Sequence, residues 1–134
     1  MKKLLLIAAV SMLSGCALVD AYLMTKYDPN EYRIVAEIRS DAQQYKAECA
    51  NPLLSAPNAI AMANKTQLFE VYSQHIPRNN NGYNSAKNLN EIAQGLATKY
   101  KDDSKVSPMF CKLKFQSIEN SAEIIQHVLG GRPR

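Results

Sequence analysis

From Asp28 onward, apolar positions recur at three- and four-residue steps, the period of helices with one buried face. Asp28-Pro29-Asn30-Glu31 opens the first: Asp28 caps the orphan amides, Pro29 suits the first helical position, and Glu31 completes a capping box. Val35, Ile38, Ala42, Tyr45 and Cys49 then form one stripe, and Asn51-Pro52 stops it. Ser55-Ala56-Pro57 opens a second helix, with Ile60, Ala63, Leu68, Val71, Tyr72 and Ile76 as a looser stripe that ends at Pro77. A polar run, Arg78 to Asn84, follows with an Asn-Gly turn signal. A third helix begins near Ser85, with Leu89, Ile92, Ala93, Leu96 and Tyr100 on one face. After a charged loop from Lys101 to Lys105, Ser107-Pro108 repeats the cap-plus-proline start. The fourth helix carries Met109, Phe110, Leu113, Ile118, Ala122, Ile125 and Leu129, and Gly130-Gly131 predicts a left-handed exit.

Four helices with short connections predict an all-α fold, a compact up-down-up-down four-helix bundle over residues 28–134. An α+β alternative rests on Lys112 to Ile118, which alternates like a strand. One isolated strand has nothing to pair with, so the helical reading is preferred.

The segment before the bundle has a different character. Met1-Lys2-Lys3 is a basic start, and Leu4 to Leu13 is apolar but far shorter than the roughly 20 residues needed to cross a bilayer. It closes on Leu13-Ser14-Gly15-Cys16, which resembles the lipobox of bacterial lipoproteins at all four positions. The resemblance implies removal of residues 1–15, a diacylglyceryl group on the Cys16 sulfur, and acylation of the new amino terminus by a fatty acid such as palmitate. Each buried methylene contributes about 0.8 kcal/mol, so several chains on one residue would hold the protein at a membrane permanently. Ala17, where Asp would favour the inner membrane, implies the outer membrane, with the periplasmic face preferred over cell-surface display. Residues 16–27 are then a lipidated tether. Its apolar residues (Leu18, Val19, Tyr22, Leu23, Met24) either lie at the membrane interface or pack on the domain.

That address changes how the cysteines read. With Cys16 bearing lipid, Cys49 and Cys111 are an even pair in an oxidising compartment, which predicts a disulfide. Two buried free thiols are the alternative. Cys49 ends the first helix and Cys111 starts the fourth, positions that an antiparallel bundle brings to the same end. A parallel placement would separate them by about 30 Å.

Charge adds little. Lys2 and Lys3 supply two of the formal +4, and the remaining basic residues are scattered, which gives no argument for nucleic acid. No phosphate loop, zinc-protease motif or nucleophile elbow is present, so no catalytic residue, cofactor or metal is expected. His75 and His127 each sit near a helix C-terminus, where a dipole partner is the ordinary role. Tyr32, Tyr45, Tyr72 and Tyr100 fall on or beside apolar stripes and are expected in the core. Tyr22, Tyr27 and Tyr83 are the tyrosines left to meet a partner. Arg78, Asn80 and Tyr83, on the polar run, are the candidate partner-binding residues, with a solvated helix connection as the alternative. Arg132-Pro133-Arg134 reads as a frayed basic tail.

The expected function is a non-enzymatic, outer-membrane-anchored lipoprotein. It would touch the bilayer through Cys16 and an envelope protein through its bundle. Two alternatives are a phage or mobile-element lipoprotein for lysis or superinfection exclusion, and a periplasmic small-ligand carrier or hydrolase.

Overall fold

The computed structural model describes residues 24–102 and 105–134; the signal segment, Cys16 and most of the tether lie outside the described residues. Four helices account for nearly all of it: α1 (Pro29–Ala47), α2 (Pro52–His75), α3 (Asn80–Lys101) and α4 (Pro108–Gly130), with no strand among the described residues. Lys112 to Ile118 lies inside α4, as the helical reading expects.

Three helices start on the same device. The Asp28 carboxylate accepts from the amides of Asn30 and Glu31 at 2.9 and 2.8 Å, Asn51 from Leu53 at 3.0 Å, and Ser107 from Phe110 at 3.1 Å. A proline stands at the first helical position each time. Asn51-Pro52 therefore starts α2 as well as stopping α1, and the start expected at Ser55 is corrected to Pro52. Pro57 lies inside that helix, where it deprives the Leu53 carbonyl of a partner. The defect is tolerated because Leu53 is 82 % exposed and water can serve that carbonyl.

α3 also begins earlier than expected, at Asn80, so most of the polar run is helix and only 76–79 connects. The left-handed exit predicted at Gly130-Gly131 is absent: Gly131 has φ −84° and donates to the carbonyl of His127 at 3.2 Å. Gly130 serves instead for a close approach: a Cβ there would stand 3.3 Å from the Tyr32 ring, which would have to shift by a few tenths of an ångström. The one non-glycine residue with positive φ among those described is Arg78, at 61°.

Each helix runs antiparallel to its chain neighbours, and α4 returns beside α1. Tyr32 meets Gln126, Arg39 meets Glu123 and Lys46 meets Glu119 along the α1–α4 seam. Along α2–α3, Asn90 donates to Glu70 at 2.6 Å and Gln94 to the Ala63 carbonyl at 3.2 Å. The Cys49–Cys111 disulfide is present, with Cα atoms 5.8 Å apart at the end of the bundle away from the tether. The result is an all-α helical bundle.

The core is built from Val35, Ile38 and Ala42 of α1, Ala59, Met62 and Phe69 of α2, Leu89, Ala93 and Leu96 of α3, and Phe115, Ile118 and Ala122 of α4. Tyr32, Tyr45, Tyr72 and Tyr100 pack against it half-buried, as their stripe positions predict. Two expected stripes need correction. Ile60, Leu68 and Val71 of α2 face outward, and so do Met109 and Leu113 of α4. The inward row of α2 is Ser55, Ala59, Met62, Thr66, Phe69 and Ser73. Two of its hydroxyls are satisfied internally: Thr66 donates to its own helix, and Ser73 to a carboxylate of α1.

Candidate functional site

The tether end of the bundle gathers the polar chemistry. Glu31, in the first turn of α1, is fully buried, and its carboxylate faces three donors. Ser73 Oγ donates to Oε1 at 2.8 Å, Asn79 Nδ2 to Oε1 at 2.7 Å, and Arg132 Nη1 to Oε2 at 2.6 Å. Arg132 Nη2 also donates to Asn79 Oδ1 at 2.7 Å, and Asn79 Nδ2 to the Ser73 carbonyl at 3.1 Å. All four helices or their flanks contribute, and among the described residues no buried side-chain polar atom lacks a partner. A buried carboxylate is tolerable only when a charge and several donors compensate its lost hydration, and this cluster supplies both.

Each participant departs from the role its sequence context suggests. Glu31 does not complete a capping box, because its carboxylate is turned to Arg132, Ser73 and Asn79. Asn79 occupies the N-cap of α3 without capping it, its amide being committed to the cluster. The Asn81-Gly82 turn signal is misleading, since Gly82 is buried within α3. A Cβ there would fall 2.2 Å from Asn79 Oδ1 and 2.8 Å from Arg132 Nη2, so glycine is the residue that lets the cluster close.

The expected frayed tail is likewise corrected. Arg132 is nearly buried, the Tyr27 amide donates to the Pro133 carbonyl at 2.8 Å, and the Arg134 guanidinium lies 4.8 Å from the Tyr27 ring centre. Tyr27, expected at a partner surface, is instead packed between that guanidinium and Tyr32, whose ring centre is 5.8 Å away. Thr25 Oγ1 donates to the carbonyl of Arg78, so the incoming and outgoing chain ends are fastened to the same end.

The candidate partner residues lie at this end too. Arg78 is exposed in the α2–α3 connection, Asn80 is exposed in the first turn of α3, and Tyr83 is half-buried one turn on. Their setting is a helix start beside a short link, not the polar loop the sequence suggested. Arg78 also borders a surface groove of about 400 Å³ with Met24, Tyr27 and Ile76. His75 closes α2, with Nδ1 2.8 Å from the Val71 carbonyl, a local helix-end bond. His127 is exposed in the last turn of α4.

Further from the tether, charge pairs lace the helix seams. Lys65 of α2 reaches Asp41 and, at 3.6 Å, Glu37 of α1. Burial opposes its ammonium, but the Asp41 hydrogen bond and both carboxylate charges outweigh that and hold its pKa above the ordinary value. Burial, then the Asp41 charge, raises the pKa of the neighbouring Tyr45 phenol. Among the described residues there is no cluster of side chains suited to a metal ion, and no helix is long and apolar enough to cross a membrane.

The most conspicuous surface feature is apolar. Leu53, Leu68 and Val71 of α2 and Met109, Leu113, Ile124 and Val128 of α4 are each about half exposed or more. These rows lie on outward faces of helices whose inner faces are already filled.

The architecture is thus a disulfide-linked all-α bundle with a buried ionic cluster at one end and apolar rows on two helices. Comparison with protein-family models, with curated proteins and with solved structures finds no match for this chain.

Proposed function

We propose that this is a lipid-anchored envelope protein without catalytic activity, an up-down-up-down bundle held at the periplasmic face of an outer membrane and acting by protein–protein contact. The anchor reading rests on Leu13-Ser14-Gly15-Cys16. The bundle's construction suits it: the chain enters at the end where Thr25 and Tyr27 are fastened. Met24 lies eight residue steps beyond Cys16, a reach of about 28 Å at full extension. A lipid on Cys16 would therefore keep the ionic end close to the headgroups and leave the helix flanks accessible.

The contact reading is carried by one observation, the outward apolar row of α2, where Leu68 and Val71 sit on a helix whose inner face is complete. Contiguous exposed apolar surface on a small domain marks a place where another molecule binds. Labelling with a palmitate analogue, present in the native chain and lost in Cys16→Ser, tests the anchor. A photoreactive residue replacing Leu68 in intact cells tests the contact. One envelope protein captured reproducibly, and lost when Val71→Asp is added, supports the reading; no capture above a probe at exposed Lys87 refutes it.

A further inference from the structure

The outward row of α4 has a symmetry that the row of α2 lacks. Leu113 and Ile124 lie equally far on either side of the point between Ile118 and Glu119, and Met109 and Val128 do the same. These four are the large exposed apolar side chains of α4, each 59–66 % exposed. Between them the row carries Ser117 and Asn120, again equidistant from that point and both exposed. A two-fold axis through the midpoint, perpendicular to the helix, would set Leu113 beside the partner's Ile124, and Met109 at the level of the partner's Val128. It would also set small polar residues on small polar residues.

Charge follows the same operation. Lys112 and Glu123 are eleven residues apart, three helical turns, so they flank the row on the same side. An antiparallel pairing brings each Lys112 to the same flank as the partner's Glu123, two residues or about 3 Å out of exact register, with that carboxylate still 56 % exposed beside its own Arg39. A parallel two-fold would send the two Lys112 residues, and the two Glu123 residues, to opposite flanks of the contact, so neither charge would find its opposite across it. The ground is also shaped for it. Ile124, Val128 and His127 line a groove of about 720 Å³ between α1 and α4, on the Glu123 side of the row. Leu113, beside Lys112, projects from the other end of the same seam.

From this match of register, charge and shape we infer that α4 is the site of an isologous, antiparallel contact with a second copy of this chain, Leu113 of each copy seated beside Ile124 of the other. The row of α2 has no such self-match, which leaves it open to a different protein. The inference stands on the bundle and is independent of the lipid anchor.

Oxidative crosslinking of the full chain in intact cells tests it. Leu113→Cys and Ile124→Cys would be carried on two differently tagged copies, with exposed Lys87→Cys as the background. The mixed dimer should exceed either same-site dimer by at least about five-fold. Lys112→Glu in the Leu113→Cys copy should reduce it several-fold, and Glu123→Lys in the other copy, made together with Arg39→Glu to keep that copy's own seam pair, should restore it. Same-site dimers in excess would mean a parallel contact, and yields no higher than the Lys87→Cys background would mean no contact. Either result, or a yield indifferent to the charge changes, overturns the inference. The intact Cys49–Cys111 disulfide reports that each variant is folded.

Discussion

Arg132 and Glu31 meet at 2.6 Å, joining the third-last residue of the chain to the first turn of α1 in a site closed to solvent. The partners are 101 residues apart in sequence, so the contact closes the whole bundle. Breaking one side would strand the other as an uncompensated buried charge. Arg132→Ala should therefore cost about 3–5 kcal/mol, far more than a surface pair. Replacing both members with apolar residues, Glu31→Met with Arg132→Met, should recover most of that loss. Urea unfolding of the two variants beside the native protein checks this. A near-neutral Arg132→Ala would mean that the cluster is hydrated in solution.

Two helical glycines should respond in opposite directions to the same substitution. Gly95 is exposed in α3 with open space where a Cβ would go, so Gly95→Ala should stabilise by up to about 1 kcal/mol through helix propensity. Gly82, in the same helix, would push its Cβ into Asn79 and Arg132. Gly82→Ala should cost about 1–3 kcal/mol despite the identical gain in propensity. Thermal unfolding would register the two as shifts of opposite sign, a few degrees each way. Shifts of the same sign would show that Arg132 moves aside at little cost.

The contrast between these glycines also explains what the sequence could and could not disclose. Helix number, the disulfide partners and most of the stripes of α1 and α3 are legible because capping chemistry and periodicity act locally. The inward face of α2 is not, because the row that packs carries Ser55, Thr66 and Ser73 while stronger apolar residues point outward. Hydrophobicity identifies the buried face only when internal hydrogen bonds do not make polar residues equally acceptable there. The ionic cluster is hidden for a related reason. Glu31, Asn79, Gly82 and Arg132 each fit a commonplace local role, and only the folded chain brings them together. A glycine inside a polar run and a pair of arginines at the chain end were the available signals, neither specific.

Stability should fall on the alkaline side. Lys65 and Tyr45 both have pKa values raised in the folded state, above 10.5 and 10.0 respectively. A raised pKa means the folded protein holds the proton more tightly than the unfolded chain. Each contribution is therefore complete below those ordinary values and is lost as pH rises through the folded ones. Between pH 9 and 11.5 the urea midpoint of the native protein should drop more steeply than that of Lys65→Gln combined with Tyr45→Phe. Parallel curves would place the alkaline sensitivity elsewhere.

The Cys49–Cys111 disulfide spans 62 residues and joins the ends of α1 and α4 farthest from the ionic cluster. Chain entropy assigns a loop of that size about 4 kcal/mol, acting through the unfolded state rather than through any native contact. The same α1–α4 seam is also held by Arg39 with Glu123 and Lys46 with Glu119, and its far end by the Arg132–Glu31 pair. Reduction should therefore lower stability without releasing the seam. Cys49→Ala with Cys111→Ala should keep the native helical circular dichroism at 25 °C while its unfolding free energy falls by about 4 kcal/mol. Combining that pair with Arg132→Ala removes both staples from one seam. With the summed loss approaching the whole stability of a domain this size, the triple variant should be largely unfolded at 37 °C. A triple variant still cooperatively folded there would show that the core rows of α1 and α4 carry the seam by themselves.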